Sequence, residues 1–204
     1  MNARLLVIVT LGFLPVRGAA QLLARDSVVY ELAPSSRLVV RTGKAGLFGF
    51  AGHEHLIQAR ELSGRIVYYP QQPESSHVTV SIATDRLEVL TPPDTAEIRK
   101  VTAATRTDVL DVAQYPEITL TSQAVEAVGD TLLVRAALTM KGQTRTVPLV
   151  VRVRIGPDTL RATTTFTVRQ SDYGIRPYRG GPGGTVRVAD AVTFDIDAVA
   201  LRRR

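Results

Sequence analysis

Apolar and polar side chains alternate, residue by residue, in nine segments spread along this chain, and this pattern constrains the fold more than any other feature. In 77–84, Val78, Val80 and Ile82 alternate with Thr79 and Ser81. Successive side chains of a β-strand point to opposite faces, so this pattern predicts a strand with one buried face. Segments of this kind, bounded by turn residues, are 27–32, 37–42, 61–69, 77–84, 116–123, 131–138, 147–155, 160–168 and 191–200.

The apolar face of these segments identifies the residues that we expect to line the interior. The candidates for contact with a ligand are Val78, Val80, Ile118, Leu120, Leu132 and Val134. In 147–155 the same alternation turns the apolar side chains inward and two arginines outward: Leu149, Val151, Val153 and Ile155 against Arg152 and Arg154.

Antiparallel strands with one apolar face must bury that face against other strands, which predicts an all-β fold. About eight strands fit an up-and-down barrel, and a two-sheet sandwich satisfies the same alternation. The chain has no cysteine and no tryptophan, so an aliphatic core without disulfides must hold it together. An eight-stranded barrel is either filled by its own side chains or holds one small ligand, and the alternation permits both.

One stretch, 94–116, departs from the strand pattern. It is richer in Ala, Arg and Glu, and Asp94 or Thr95 can cap a helix. Ile98 and Val101 have the spacing of one helix face. We therefore expect one or two short helices inserted between strands.

The N-terminus has the features of an export signal. Arg4 precedes the apolar stretch 5–14, which is too short to span a bilayer, and Gly18-Ala19-Ala20 follows it. An uncleaved membrane anchor is the alternative. We expect residues 1–20 to be a signal peptide and 21–204 one exported domain, periplasmic or extracellular.

The charge of the mature domain is mild. Removal of Arg4 and Arg17 leaves 23 basic against 19 acidic residues, which lowers the net charge from +6 to +4. This balance does not indicate nucleic-acid binding, although it leaves contact with anionic lipid head groups open.

His53 and His55 form a short polar motif with Glu54 between them. Residues i and i+2 share a strand face, so the two imidazoles could bind one metal, but a site needs a third ligand and His77 is the only other histidine. The motif could also form the polar mouth of a pocket, or a plain strand end.

Other signs of catalysis are weak. The chain has no cysteine and no Gly-x-Ser-x-Gly motif for a nucleophile. Residues 176–187 are basic and rich in glycine, which could cradle a phosphate, but they lack the ending of a nucleotide-binding P-loop and also fit a hairpin loop.

Several segments resemble, in order, the YceI-like polyisoprenoid-binding family. The hairpin "LTMKGQTRTVPLVV" is the clearest of them. The matching segments are 30–40, 50–68, 108–122, 138–151 and 166–175. The resemblance extends over nearly the whole mature chain. It implies an extended lipocalin-like antiparallel barrel, exported, with a long isoprenoid chain such as a quinone or polyprenyl lipid in an apolar tunnel.

Together these observations predict a non-catalytic binding protein for an isoprenoid or similar long-chain amphiphile, with no other cofactor and no metal. We expect Phe48 and Phe50 beside the apolar chain and His53 and His55 at the pocket mouth, on a glycine-rich loop. Transient membrane contact remains open. The alternatives are an interaction module with a filled core and a metal-dependent enzyme that uses the two histidines.

The signal sequence leads to a direct prediction. The exported protein should begin at Gln21, because the small residues before it suit cleavage after Ala20. N-terminal sequencing of the exported protein checks this, and a chain that still begins at Met1 would contradict it.

Overall fold

A computed structural model describes residues 27–45, 55–90, 95–180 and 186–203. These residues form twelve strands and one α-helix, α1 (Thr95–Ala104). The strands, in chain order, are β1 (Val28–Leu32), β2 (Arg37–Ala45), β3 (His55–Ala59), β4 (Leu62–Tyr68), β5 (His77–Ala83), β6 (Leu87–Val89), β7 (Glu117–Val128), β8 (Thr131–Met140), β9 (Gln143–Ile155), β10 (Thr159–Arg169), β11 (Arg179–Gly180) and β12 (Val186–Arg202).

Eight of the strands form a closed antiparallel ring in the order β1-β4-β5-β7-β8-β9-β10-β12. The ring closes where β12 pairs with β1, with Glu31 opposite Leu201. Further back along β12 the same edge pairs with β2, and β3 and β6 continue the sheet from there. The predicted lipocalin-like barrel is therefore confirmed, with one short inserted α-helix.

The barrel interior is aliphatic, as the alternation predicts. Leu38, Leu138 and Ala136 are almost completely buried, and Phe166 stacks on Phe194 with ring centroids 5.0 Å apart. Tyr173 is another aromatic side chain buried in this mostly aliphatic core. Burial of these side chains contributes about 1.5–3 kcal/mol for each large one.

Two details of the sequence interpretation need correction. Ile155 does not point into the core: it is 45% exposed, because β9 ends there, beyond the rim of the barrel. The sequence interpretation also missed β3 and β6, which extend the sheet beside β2.

A helical cover lies between β6 and β7. It consists of α1 and the π-type turn Thr105–Val109 that continues it. The Lys141 ammonium donates a hydrogen bond to the Val109 carbonyl at 3.1 Å, which ties the cover to the β8–β9 hairpin. No helix in the described part of the chain is both long and apolar enough to cross a bilayer.

The pairing between β9 and β10 covers only a short part of these two long strands, which have 13 and 11 residues. β8 and β9 pair over ten residues, from Met140 opposite Gln143 to Thr131 opposite Arg152, and β10 and β12 pair over eleven. β9 and β10 pair over four only, ending with Thr163 opposite Arg152. Beyond that pair, the described strands separate and leave a seam in the wall, and the 3₁₀ turn Gln170–Tyr173 contacts β9 on this side.

Pro148 lies in the middle of β9, and the seam explains why it is tolerated there. Proline has no N–H to donate, so it is confined to strand edges or irregular positions. Pro148 stands opposite Arg135 on β8, so its nitrogen must face away from β8, toward the seam. By alternation, the N–H groups of Thr146 and Val150 face the same way.

Amide hydrogen exchange should reveal the seam. The amides of Thr146 and Val150 should exchange faster than those of Val147 and Leu149, because only the latter two point to the β8 ladder. Residue-resolved exchange measured by NMR provides the comparison within one strand. Equal protection of the four amides would show that β9 is paired on both edges.

Candidate ligand-binding site

Three small apolar spaces lie inside the barrel. The inner space has a volume of ≈ 30 Å³ and the middle space ≈ 70 Å³. The third space, also ≈ 70 Å³, lies at the end covered by α1 and is called the mouth here. The inner space is lined entirely by apolar surface from residues that include Leu32, Leu62, Val80, Leu120 and Ala198.

The three spaces form a row because neighbours share walls. The inner and middle spaces share Leu38, Ile82 and Phe194. The middle space and the mouth share Thr42, Ile57, Thr105, Val109 and Gln170. A side-chain movement at either shared wall would join two spaces into one.

The row is narrow in this structure. Sites for small molecules have volumes of about 300–1,000 Å³, far above those of these three spaces. The side chains therefore fill most of the interior at the density of a protein core. A long chain can enter only if the side chains or the strands that form the shared walls move apart.

Polar side chains are concentrated at the mouth. Thr42, His55, Gln170 and Tyr178 all contribute to its lining, among apolar residues. The Thr42 hydroxyl oxygen accepts a hydrogen bond from the His55 backbone N–H at 3.2 Å, which fixes the start of β3 against β2. The mouth can thus hold the polar end of an amphiphile, whereas the inner space cannot.

A bulge in β12 positions Gln170. The register of β12 against β2 shifts between Val188 and Val192, which turns the intervening backbone outward from the ladder. The Gln170 amide nitrogen donates to the Ala189 carbonyl at 2.9 Å, and Asp190 accepts hydrogen bonds from the Ser171 hydroxyl and N–H. Two residues of the bulge, Ala189 and Asp190, thereby anchor the turn that carries Gln170.

The stabilising effect of the Asp190 carboxylate depends on pH. Hydrogen bonds from the Ser171 hydroxyl, and next from its backbone N–H, lower the pKa of Asp190 below the ordinary value of 3.8. A carboxyl group with a lowered pKa stabilises the fold above its ordinary pKa, and this stabilisation is lost as the pH falls through the lowered pKa. The turn at the mouth is therefore anchored throughout the neutral range.

The helical cover forms one wall of the mouth. Val101 and Ala104 come from α1, and Thr105 and Val109 from the π-type turn. Their side chains are half-buried rather than fully buried. The cover therefore presents an apolar surface to the mouth without filling it.

A larger groove of ≈ 570 Å³ lies on the outer surface of the barrel, across β2, β10 and β12. Its lining mixes charged and hydroxyl side chains with the aliphatic Val39, Leu56, Val150 and Ile196, and the Arg41 guanidinium pairs there with the Asp195 carboxylate at 2.8 Å. Because the groove is open, an apolar chain lying in it would stay largely in water, so the enclosed interior row is the better candidate despite its small volume.

The structure places four of the ten predicted site residues on the row. Val80 and Leu120 line the inner space, Ile118 the middle space and His55 the mouth. Val134 is buried in the same core and Leu132 packs against it, but neither lines a space. Val78 is half-buried at the other end of β5 and lines none of them. Ligand contact by these residues stays a prediction.

Phe48, Phe50 and His53 lie outside the described residues, as does 181–185 of the glycine-rich loop. Within the described ranges, no group of three His, Cys, Asp or Glu side chains is placed to hold a metal ion. His77 lies at the start of β5 and does not contribute to the mouth.

Several residues of the row were missed by sequence reasoning. Leu38, Val40 and Thr42 alternate within the predicted strand 37–42, so the pattern already held the signal for them. Gln170 and Tyr178 lie outside every alternating segment, and only the β12 bulge and the turn after β10 bring them to the mouth.

A closed antiparallel barrel with an apolar interior and polar groups at one mouth defines a binding barrel of the lipocalin-like class. The sequence model of the YceI-like domain family matches residues 30–200 of this chain. The chain therefore belongs to the YceI-like family.

Solved structures support the same fold at low sequence identity. Burkholderia cenocepacia BcnA is 18% identical with a TM-score of 0.65, and the match covers 82% of this chain and 98% of that one. A polyisoprenoid binding domain from Saccharophagus degradans, implicated in plant cell wall breakdown, is 15% identical with a TM-score of 0.62, covering 86% and 98%. A Campylobacter jejuni YceI protein is 15% identical with a TM-score of 0.57, covering 72% and 85%. No curated protein matches the chain.

The packing around the inner space can be tested by enlarging one side chain. Leu120→Trp should lower the free energy of unfolding by about 1–3 kcal/mol, because the ≈ 30 Å³ space cannot hold an indole without displacement of its walls. Thr121→Trp is the matched control, since Thr121 is exposed on the outer face of the same strand, and should change it by less than about 0.5 kcal/mol. Denaturant titration measures both. An equal effect of the two substitutions would contradict the inward orientation of Leu120.

Proposed function

We propose that this protein is a non-catalytic, exported carrier of a polyisoprenoid or similar long-chain amphiphile, with the chain along the row of spaces and the polar end at the mouth. The observation that carries the proposal is the polarity of the row. The inner space at one end of the row has apolar walls throughout. The mouth, at the other end, is lined in part by hydroxyl, amide and imidazole groups. An amphiphile has the same division along its length.

The energetics favour a ligand of this type. Each methylene that leaves water contributes about 0.8 kcal/mol, so the chain supplies most of the affinity. A hydrogen bond at the mouth adds about 0.5–1.5 kcal/mol and fixes the direction of entry. Part of this free energy is offset by the cost of moving the shared walls, since the spaces inside the barrel are small.

Two further observations support parts of the proposal. The neighbouring Saccharophagus degradans domain is described as polyisoprenoid-binding, and it shares this fold. Export is supported by the signal-like residues 1–20. An exported carrier could shield the apolar chain of a membrane lipid from water while the lipid is outside the membrane.

Organic extraction of freshly purified protein, followed by lipid mass spectrometry, tests the function. The expected result is a long-chain isoprenoid or related amphiphile in near-stoichiometric amount from the native chain, and much less from Leu120→Trp than from Thr121→Trp. If the extract is empty and stripped protein also fails to take up a polyprenyl lipid, the barrel is a filled interaction module instead.

The ligand contacts predicted from the sequence for Phe48, Phe50, His53 and His55 imply graded effects on lipid retention. His53→Ala combined with His55→Ala should weaken retention modestly, because polar contacts only orient the ligand. Phe48→Ala or Phe50→Ala should weaken it more, through loss of apolar contact. His77→Ala is the control, since this histidine is exposed and lines none of the three spaces.

The measurement is the dissociation rate of a fluorescent polyprenyl analogue, with circular dichroism to verify the fold. If the double histidine variant instead loses a stoichiometric metal together with a hydrolytic or other activity, the alternative of a metal-dependent enzyme replaces the carrier.

A further inference from the structure

The outer wall of the barrel, near the end opposite the mouth, carries a basic and apolar surface, which we call the basal patch. It consists of Arg152, Arg154, Arg161, Arg202, Val150, Ile155 and Leu201. These residues surround the β9–β10 turn. All four arginines are exposed, and the three aliphatic side chains are 58%, 45% and 50% exposed in the order given.

Strand register brings these residues together. Arg154 stands directly opposite Arg161, and Leu201 stands opposite Thr159 at the start of β10. The Arg202 N–H donates to the Asp158 carbonyl in the turn at 2.9 Å. Residues that are 50 positions apart in sequence, such as Arg152 and Arg202, therefore border one surface.

No carboxylate in the described part of the chain forms an ion pair with a guanidinium group of the patch. Among the described residues, the ion pairs involve Arg41, Arg60, Arg86 and Arg203, and none of the four arginines of the patch. Like charges directly opposite each other on a sheet, as with Arg154 and Arg161, destabilise the pairing. An external anion would relieve this repulsion.

Acidic residues border the patch without neutralising it. Asp158 lies in the turn itself, Asp130 in the β7–β8 turn, and Asp197 on β12 opposite Thr163. Glu31 is already paired with Arg203. Arg152 also lines the outer groove with Asp195 and Asp197, and Asp195 is paired with Arg41. Asp130, Asp158 and Asp197 therefore remain against the four arginines of the patch.

Exposed aliphatic side chains beside the arginines indicate which anion fits. A soluble polyanion would offer nothing to Val150, Ile155 and Leu201, whereas the interface of a bilayer accepts aliphatic side chains and attracts basic ones through its phosphates. Of the five large hydrophobic residues exposed in the described chain, three belong to the patch. We infer that the basal patch docks the protein on the surface of an anionic lipid bilayer.

Docking in this way has a geometric consequence for the mouth. β10 begins at Thr159 within the patch and ends at Arg169, next to the mouth residue Gln170. Eleven residues of strand at about 3.3 Å each separate the two ends by roughly 35 Å. The mouth therefore lies far along the barrel from the residues that contact the bilayer. This inference does not depend on the nature of the ligand.

Vesicle flotation tests the inference with the full mature chain. The native protein should float with vesicles that contain phosphatidylglycerol and not with pure phosphatidylcholine, and 0.5 M salt should release it. Replacement of Arg152, Arg154 and Arg161 by Gln should lower binding to the anionic vesicles on the order of 100-fold. Ile155→Ser should lower it further without loss of the fold, because the side chain is already 45% exposed.

A matched control separates local from general charge effects. Arg65, Arg99 and Lys100 are exposed on β4 and α1, and β4 lies four strands away from β9 on either side of the eight-stranded ring. Their replacement by Gln removes the same charge and should leave flotation unchanged. Equal loss in both triple variants, native binding to neutral vesicles, or retention on heparin without vesicle binding would each overturn the inference.

Discussion

The two ladders of β12 hold this barrel together. One edge of this strand pairs with β10 over eleven residues, and the other edge pairs first with β2 and then with β1. The ring closes only because β12, at 17 residues, is long enough to pass from one partner to the other. The bulge between Val188 and Val192 lies on the same strand, so closure and the anchoring of the mouth depend on one continuous element.

The sequence contained much of the fold because alternation is a local property. Val80, Ile118 and Leu120 could be assigned to the interior from their own strands, since the period of two determines the face. β3 and β6 could not be assigned in this way. They have only five and three residues, and the first four residues of β3, His55 to Gln58, are all half-buried and show no alternation. Ile155 shows the converse error, because alternation gives the face of a strand but not the position of the rim.

The candidate site was harder to predict from the sequence than the fold, for two physical reasons. Gln170 reaches the mouth only because the backbone at Ala189 accepts its amide, which is a tertiary contact with no trace in local pattern. The volume of the interior likewise cannot be predicted from the sequence, since filled and hollow barrels share the same alternation. The narrow row of spaces between Leu120 and His55 thus emerges only from how side chains of many strands interlock.

Pro148 has a further consequence for the behaviour of the protein in a crowded compartment. The seam exposes part of β9 as a strand edge, and an exposed edge is a template on which another chain can add a strand and start aggregation. Pro148 interrupts the row of donors between Thr146 and Val150, so an incoming strand would lose a central hydrogen bond. Pro148, which is tolerated because of the seam, therefore also makes this strand edge a poorer template for a strand of a second molecule.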